Sequence, residues 1–168
     1  MMTDMIQRIV MMVVFCLVQV MVLNRIHVFN CATPLLYVYF AIMFPRNYPR
    51  WAIIVEAFVL GLLMDTFQNT PGVAACSMTL LGMIQPPLLD LFVTRELPED
   101  ARPSAVVLGW LKFFYYAGIS SLIYCVAFFT LEQFAFFNWM QWLDRVVGST
   151  VLTLLLVMLL ELAQKKKE

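Results

Sequence analysis

The chain has 168 residues, of which 62% are hydrophobic and 13% charged, and its formal net charge at pH 7 is zero. Soluble domains carry roughly a quarter of their residues as charged side chains, so this composition excludes an ordinary water-exposed globular domain. The apolar residues occur in blocks of roughly 17–25 residues, the length that a bilayer about 30 Å thick requires. Because backbone amides must be satisfied within each span, the blocks predict an all-α polytopic membrane protein with a single transmembrane domain over residues 1–168.

Six apolar blocks follow one another along the chain, at about residues 5–23, 28–44, 51–67, 72–93, 105–130 and 142–163. The first has no small-residue cleavage pattern after it, which indicates an uncleaved anchor. The second is short and is bracketed by Pro34 and Pro45. Two topologies therefore stay open: six spans with a cytoplasmic N-terminus, or five spans plus a re-entrant second segment with the N-terminus outside. We prefer six spans, because the second block just reaches spanning length.

Lysine and arginine favour cytoplasmic loops, so their placement orients the chain. In the six-span topology nine basic residues share one side: Arg8, Arg46, Arg50, Arg95, Arg102, Lys112, Lys165, Lys166 and Lys167. Only Arg25 and Arg145 fall on the other side. In the five-span alternative Arg8 and Arg25 exchange sides, so the charge balance is the same. Both topologies predict a cytoplasmic C-terminus.

The sequence contains no pattern that indicates an enzyme, a cofactor or a metal site. Phosphate loops, zinc-protease helices and nucleophile elbows are missing from the sequence. The single histidine is His27, and the four cysteines form no CxxC pair: Cys16, Cys31, Cys76 and Cys125. We therefore expect no catalytic residue, no cofactor, no bound metal and no nucleic-acid partner.

Two acidic residues of the third block, Glu56 and Asp65, lie at bilayer depth, where charges are costly and often functional. Nine residues separate them, which at about 100° per residue places them on opposite faces of a helix and disfavours a proton pathway. Gly61 and Asp65, in contrast, share one face at positions i and i+4. Glycine there allows another helix to approach closely, and Asp65 is expected to cap the following turn or to bond across that contact.

The fourth block contains the sequence Gln85-Pro86-Pro87. Two prolines remove two helix hydrogen bonds and predict a kink. Gln85 is expected to help satisfy the backbone groups that the prolines loosen.

The stretch EAFVLGLLMDTFQNTPG resembles the motif of the MreD family of rod shape-determining membrane proteins. In that family the third helix carries a GLxxD-type signature, followed by a Pro-Leu-Gly turn. The matching residues here are Gly61, Leu62, Asp65, Pro71 and Gly72. The leucine between proline and glycine is missing, which is a departure from the family pattern.

The resemblance implies a non-enzymatic component of the bacterial elongation machinery in the cytoplasmic membrane. Such proteins bind MreC and link the MreB filament to peptidoglycan synthesis by RodA and its transpeptidase, thereby controlling cell shape. The family fold resembles the six-helix substrate-binding components of energy-coupling-factor transporters. The residues that the resemblance marks as candidates for partner binding or helix packing are Gly61, Asp65, Pro71 and Gly72. Membrane lipid is a further expected partner.

A vitamin-type transport component is the main alternative function. Such components dock through small residues spaced four apart in their first helix. The first block here reads IVMMVVFCLVQVMVL, which is bulky throughout and argues against docking of that kind. Copurification separates the two hypotheses, since bound vitamin favours the transport component and bound MreC favours the shape protein.

Overall fold

The structure is a computed structural model that describes residues 2–21, 35–93, 102–133 and 139–165, with side chains described for residues 8–21, 35–93, 102–133 and 139–163. All regular elements in these ranges are helical. In chain order they are α1 (Met2–Met21), α2 (Val38–Ile42), α3 (Arg50–Gln68), α4 (Val73–Phe92), α5 (Ala105–Leu108), α6 (Trp110–Glu132) and α7 (Trp139–Lys165).

Four of these helices are long and apolar enough to cross a membrane. Helices α3, α4 and α6 contain 19, 20 and 23 residues, and the apolar part of α7, Trp139–Ala163, contains 25. At about 1.5 Å per residue each is roughly 30 Å long or longer, which matches the hydrocarbon core of a bilayer. Helix α1 adds a shorter apolar stretch, Arg8–Met21. The prediction of an all-helical protein with membrane-length apolar helices is confirmed for the described residues.

The four long helices pack as successive antiparallel neighbours. Phe92 at the end of α4 contacts Tyr116 near the start of α6, with ring centroids 6.0 Å apart. Gly118 of α6 faces Leu154 of α7. Large apolar side chains stay exposed on the outer faces of all four helices, among them Val55, Leu80, Leu111 and Leu155. A bilayer is the solvent that such outer faces suit.

Charged side chains identify which helix ends lie together. The Arg8 guanidinium of α1 lies over the Tyr48 ring, 4.0 Å from its centroid, just before α3 begins. Arg46 forms an ion pair with Asp90 of α4, with Nε and Oδ1 2.8 Å apart. The described start of α1, the start of α3 and the end of α4 therefore meet at one end of the bundle.

This end also holds most of the described basic residues, and we call it the basic end. Its members are Arg8, Arg46, Arg50, Arg102 and Lys112. Arg145 lies in the first turns of α7, at the opposite end. Lys165 is the last residue of α7, at the end of that helix opposite Arg145. Arg25, Arg95, Lys166 and Lys167 lie outside the described residues. Within the described part of the chain, the charge asymmetry of the sequence is thus an asymmetry between the two ends of the bundle.

Residues 35–44, which we call the interior segment, belong to the predicted second span. They form a turn followed by the five-residue helix α2, and all but the partly buried Met43 are buried inside the protein. Residues 28–34 of that predicted span lie outside the described residues, as do His27 and Cys31. A short helix leaves several backbone N–H and C=O groups without helical partners, which is tolerated at membrane depth only where protein supplies substitutes.

Side chains of the first and last helices satisfy the start of the interior segment. The Leu35 N–H donates to the Thr153 hydroxyl of α7 at 3.3 Å, and the Leu36 N–H donates to Gln19 Oε1 of α1 at 2.9 Å. Thr153 and Gln19 are themselves buried. Each of these polar side chains therefore replaces a backbone acceptor that a longer helix would have provided.

Side chains of α4 and α6 satisfy the other end of the segment. Gln85 Nε2 donates to the Phe44 carbonyl at 3.1 Å and to the Tyr116 hydroxyl at 2.9 Å. The Tyr116 hydroxyl in turn donates to the Ile42 carbonyl at 3.1 Å. The expectation that Gln85 serves its own helix is wrong, because its amide is used across the bundle. Helix α4 continues through both prolines to Phe92.

Candidate functional site

Helices α3 and α4 are in close contact at Gly61. A Cβ atom added there would lie 2.6 Å from the Ala75 Cα and 2.7 Å from the Ala74 carbonyl oxygen, distances that backbone atoms cannot accommodate. The missing side chain lets the two helix backbones touch, as small residues do in membrane interfaces. Glycine at this position is therefore a requirement of the α3–α4 hairpin.

Asp65 lies one turn beyond Gly61 and binds the start of α4. One carboxylate oxygen accepts the Ala74 N–H at 2.8 Å, and the other accepts the Ala75 N–H at 2.9 Å. The Thr70 hydroxyl donates to the first of these oxygens at 3.0 Å. The first N–H groups of a helix lack internal partners and carry partial positive charge, so a buried carboxylate satisfies both needs.

The turn between the two helices depends on two residues with positive φ. Asn69 ends α3 at φ 56°, and its N–H and that of Thr70 both bond to the Asp65 carbonyl. Gly72 precedes α4 at φ 83°, a conformation that side chains rarely adopt. Pro71 between them has no N–H that would need a partner. The turn thus returns the chain so that α4 starts directly over the Asp65 carboxylate.

An open groove of about 510 Å³ lies along this hairpin, at the end opposite the basic end. We call it the hairpin groove. Its walls are formed by Phe58, Leu62, Asp65, Thr66, Asn69, Pro71, Gly72, Ala75 and Cys76. Phe58 and Leu62 are 45% and 49% exposed, although both are large and apolar. The groove can therefore receive apolar side chains of another membrane helix.

The structure divides the four candidate residues for partner binding or helix packing between two positions. Asp65, Pro71 and Gly72 line the hairpin groove, whereas Gly61 lies in the helix contact beside it. Phe58 and Cys76 also line the groove, although no sequence motif marks them. Their only sequence signal is helical spacing from Leu62 and Gly72, which many neighbouring apolar residues share.

Glu56 occupies a separate position near the basic end. The Tyr48 hydroxyl donates to its carboxylate. Burial and the neighbouring Glu56 carboxylate raise the pKa of Tyr48 above its ordinary value, which keeps the phenol protonated as the donor. Asp65, in contrast, lies at the other end of α3, so the two acids belong to different sites.

Within the described residues, no group of three or more His, Cys, Asp or Glu side chains could hold a metal ion. Comparisons with known proteins give no relative: no protein-family description, curated protein or solved structure matches the chain significantly. The motif residues and the geometry around them are therefore the basis for a functional proposal.

Proposed function

We propose that this chain is a non-enzymatic membrane scaffold of the bacterial cell-elongation machinery, acting in the manner of the MreD family. It binds MreC in the cytoplasmic membrane and, through it, RodA with its transpeptidase and, indirectly, the MreB filament. The supporting observation is the hairpin groove, because the motif residues Asp65, Pro71 and Gly72 line it. A scaffold needs such an exposed apolar surface beside a rigid framework, and the groove provides one.

The proposal includes a six-crossing topology with the N-terminus, the tail and the basic end in the cytoplasm. Arg8 lies beside Tyr48 at the start of α3, which supports a cytoplasmic N-terminus over the five-span alternative. Leu35 bonds to Thr153 at mid-depth of α7, whereas Phe44 bonds near the basic end. The interior segment therefore runs toward the basic end, as the second half of either a crossing or a re-entrant segment does. In this proposal the fold of the whole protein resembles that of the substrate-binding components of energy-coupling-factor transporters.

With the basic end inside, the hairpin groove faces the outer side of the membrane. Loops rich in lysine and arginine favour the cytoplasm, which leaves the Pro71–Gly72 turn on the periplasmic side. A transmembrane segment of MreC packs against Phe58 and Leu62 in this arrangement. Asp65 does not contact the partner directly, because its carboxylate is bound to α4 and only 7% of the residue is exposed.

The test is copurification of MreC from native membranes with a groove-filling variant. Thr66 lines the groove and is exposed, so Thr66→Trp fills the groove without altering the Asp65 hydrogen bonds. Val55→Trp is the control, because Val55 is 51% exposed on the same helix but does not line the groove. We expect Thr66→Trp to lose MreC and round the cells while Val55→Trp keeps both. Full MreC recovery with both variants would refute the proposal.

The exposed face of α1 supports the scaffold over the vitamin-transport alternative. This face presents bulky side chains, including Val10, Val13, Val14 and Leu17, each 45% exposed or more. A docking surface that depends on small residues is not formed by such side chains. A vitamin retained by the purified protein, without MreC, would favour the alternative.

A further inference from the structure

A second cavity, of about 290 Å³, lies at the basic end between α1, the interior segment and the start of α5. We call it the basic cleft. Polar groups are supplied to it by Arg8, Arg102 and Ser104, and Tyr39 also lines it, with its hydroxyl bonded to Glu161. The remaining lining is apolar or aromatic, with Phe15, Phe40 and Val107 as examples. The cleft is thus cationic at one side and apolar at the other.

The two arginines belong to different parts of the chain, Arg8 to α1 and Arg102 to the residues just before α5. Arg8 is half-buried and is held by the aromatic rings of Tyr48 and Phe44, at 4.0 and 5.6 Å from their centroids. Arg102 is exposed at the end of the loop before α5. Among the described residues neither guanidinium has a carboxylate within ion-pair distance. Ser104 Oγ accepts the Val107 N–H, which leaves its own hydrogen available to a ligand.

Two acidic residues lie close to the cleft, and both are already bonded to neutral donors. Glu161 accepts the Tyr39 hydroxyl at 2.9 Å and the Ala105 N–H at 2.7 Å, and it is buried behind the cleft wall. Glu56 accepts the Tyr48 hydroxyl with one carboxylate oxygen, and its other, buried oxygen has no partner among the described residues. Neither carboxylate lines the cleft, so the groups that face it are cationic or neutral.

The depth of the cleft indicates what kind of molecule reaches it. Trp51 and Trp110 begin α3 and α6 at this same end, and both are exposed, as tryptophans at a membrane–water boundary are. A ligand at this level has its charged part at the headgroups and its apolar part among acyl chains. Basic pockets between membrane helices on the cytoplasmic side bind phosphate headgroups for this reason.

We propose that the basic cleft binds the headgroup of an anionic phospholipid. The guanidinium groups of Arg8 and Arg102 hold the phosphate, and Ser104 donates a hydrogen bond to it. The acyl chains leave along the apolar side of α1, where Met11 lines the cleft and is 40% exposed. The cleft and the hairpin groove lie at opposite ends of the bundle, so this inference is independent of partner binding.

The experiment measures the affinity of the full-length protein, in dodecylmaltoside micelles, for fluorescent phosphatidylglycerol. Arg102→Gln removes one cleft charge at an exposed position and is expected to weaken binding about fivefold, whereas the double variant Arg8→Gln/Arg102→Gln weakens it about 25-fold. Arg50→Gln is the control, because Arg50 is exposed at the same end but outside the cleft. It is expected to leave the affinity unchanged, and Arg102→Lys to retain most of it.

Competition distinguishes a lipid from a free anion. Unlabelled phosphatidylglycerol is expected to displace the probe, whereas phosphatidylcholine and millimolar inorganic phosphate are not. Equal loss of affinity in Arg50→Gln and Arg102→Gln would overturn the proposal, because it would indicate a diffuse surface effect. Displacement by inorganic phosphate alone, or binding of phosphatidylcholine as tight as that of phosphatidylglycerol, would overturn it too.

Discussion

Replacing Asp65 by asparagine changes one atom of the side chain that joins α3 to α4. Each carboxylate oxygen accepts a different backbone N–H, from Ala74 and from Ala75. Asparagine has one acceptor oxygen and one NH₂ group. The best orientation keeps the oxygen toward Ala74 and Thr70, and the NH₂ group then faces the Ala75 N–H, donor against donor.

The expected cost follows from these lost bonds. A hydrogen bond to a charged acceptor contributes about 1.5–3 kcal/mol, and a buried N–H left without a partner costs about 1–3 kcal/mol. The remaining bonds also weaken, because a neutral oxygen replaces a charged one at the helix N-terminus. We expect Asp65→Asn to lower the free energy of unfolding by about 3 kcal/mol, or roughly a hundredfold in the unfolding equilibrium.

The assay is reversible unfolding in mixed micelles of dodecylmaltoside and dodecyl sulfate, followed by tryptophan fluorescence. Asp90→Asn is the matched control, because Asp90 is 45% exposed in an ion pair with Arg46. Exposed ion pairs contribute about 0–1 kcal/mol, so this variant should stay close to the parent. The reasoning is refuted if Asp65→Asn is no less stable than Asp90→Asn.

Three further predictions use the same folded protein. Gly61→Ala should lower the free energy of unfolding by about 1–3 kcal/mol, because the added Cβ meets the backbone of α4 at 2.6 Å. Gly118→Ala is the control: its Cβ has no neighbour closer than 3.9 Å, so the variant should be neutral or up to about 1 kcal/mol more stable. Similar values for both variants would contradict the close contact at Gly61. Gln85→Leu should cost about 1–2 kcal/mol in the same unfolding assay, because the interior segment loses a donor, and an unchanged stability would show that this bond is dispensable. Maleimide should modify Cys76, which is exposed, in the native protein, but Cys125, which is buried, only after unfolding. Mass spectrometry of the peptides would report the labelling. Labelling of Cys125 in the native protein would contradict its burial.

The hairpin could be anticipated from the sequence in part. A spacing of four residues places Gly61 and Asp65 on one helix face, and glycine, proline and asparagine mark the turn that follows. The sequence does not identify the amides that Asp65 binds, because they lie nine and ten residues further on. That distance is set by the conformation of the turn, which depends on φ values at Asn69 and Gly72.

The interior segment could not be anticipated from hydropathy. A segment buried in protein and a span facing lipid are both apolar, so residues 28–44 predict either equally well. What separates them is the set of backbone partners, and these come from distant residues: Gln19 is 17 positions from Leu36, and Thr153 is 118 positions from Leu35. Polar residues inside apolar blocks, such as Gln19 and Thr153, indicate that buried backbone groups need partners. Which groups they bind is defined only by the packing.

The central claim, that the hairpin groove receives MreC, is tested most directly by photo-crosslinking in living cells. A benzophenone amino acid at position 62 lies in the groove, and one at position 55 lies on the same helix outside it. We predict a crosslinked product that contains MreC from position 62 and none from position 55. The account is contradicted if position 62 gives no MreC adduct, or if both positions give it in equal yield.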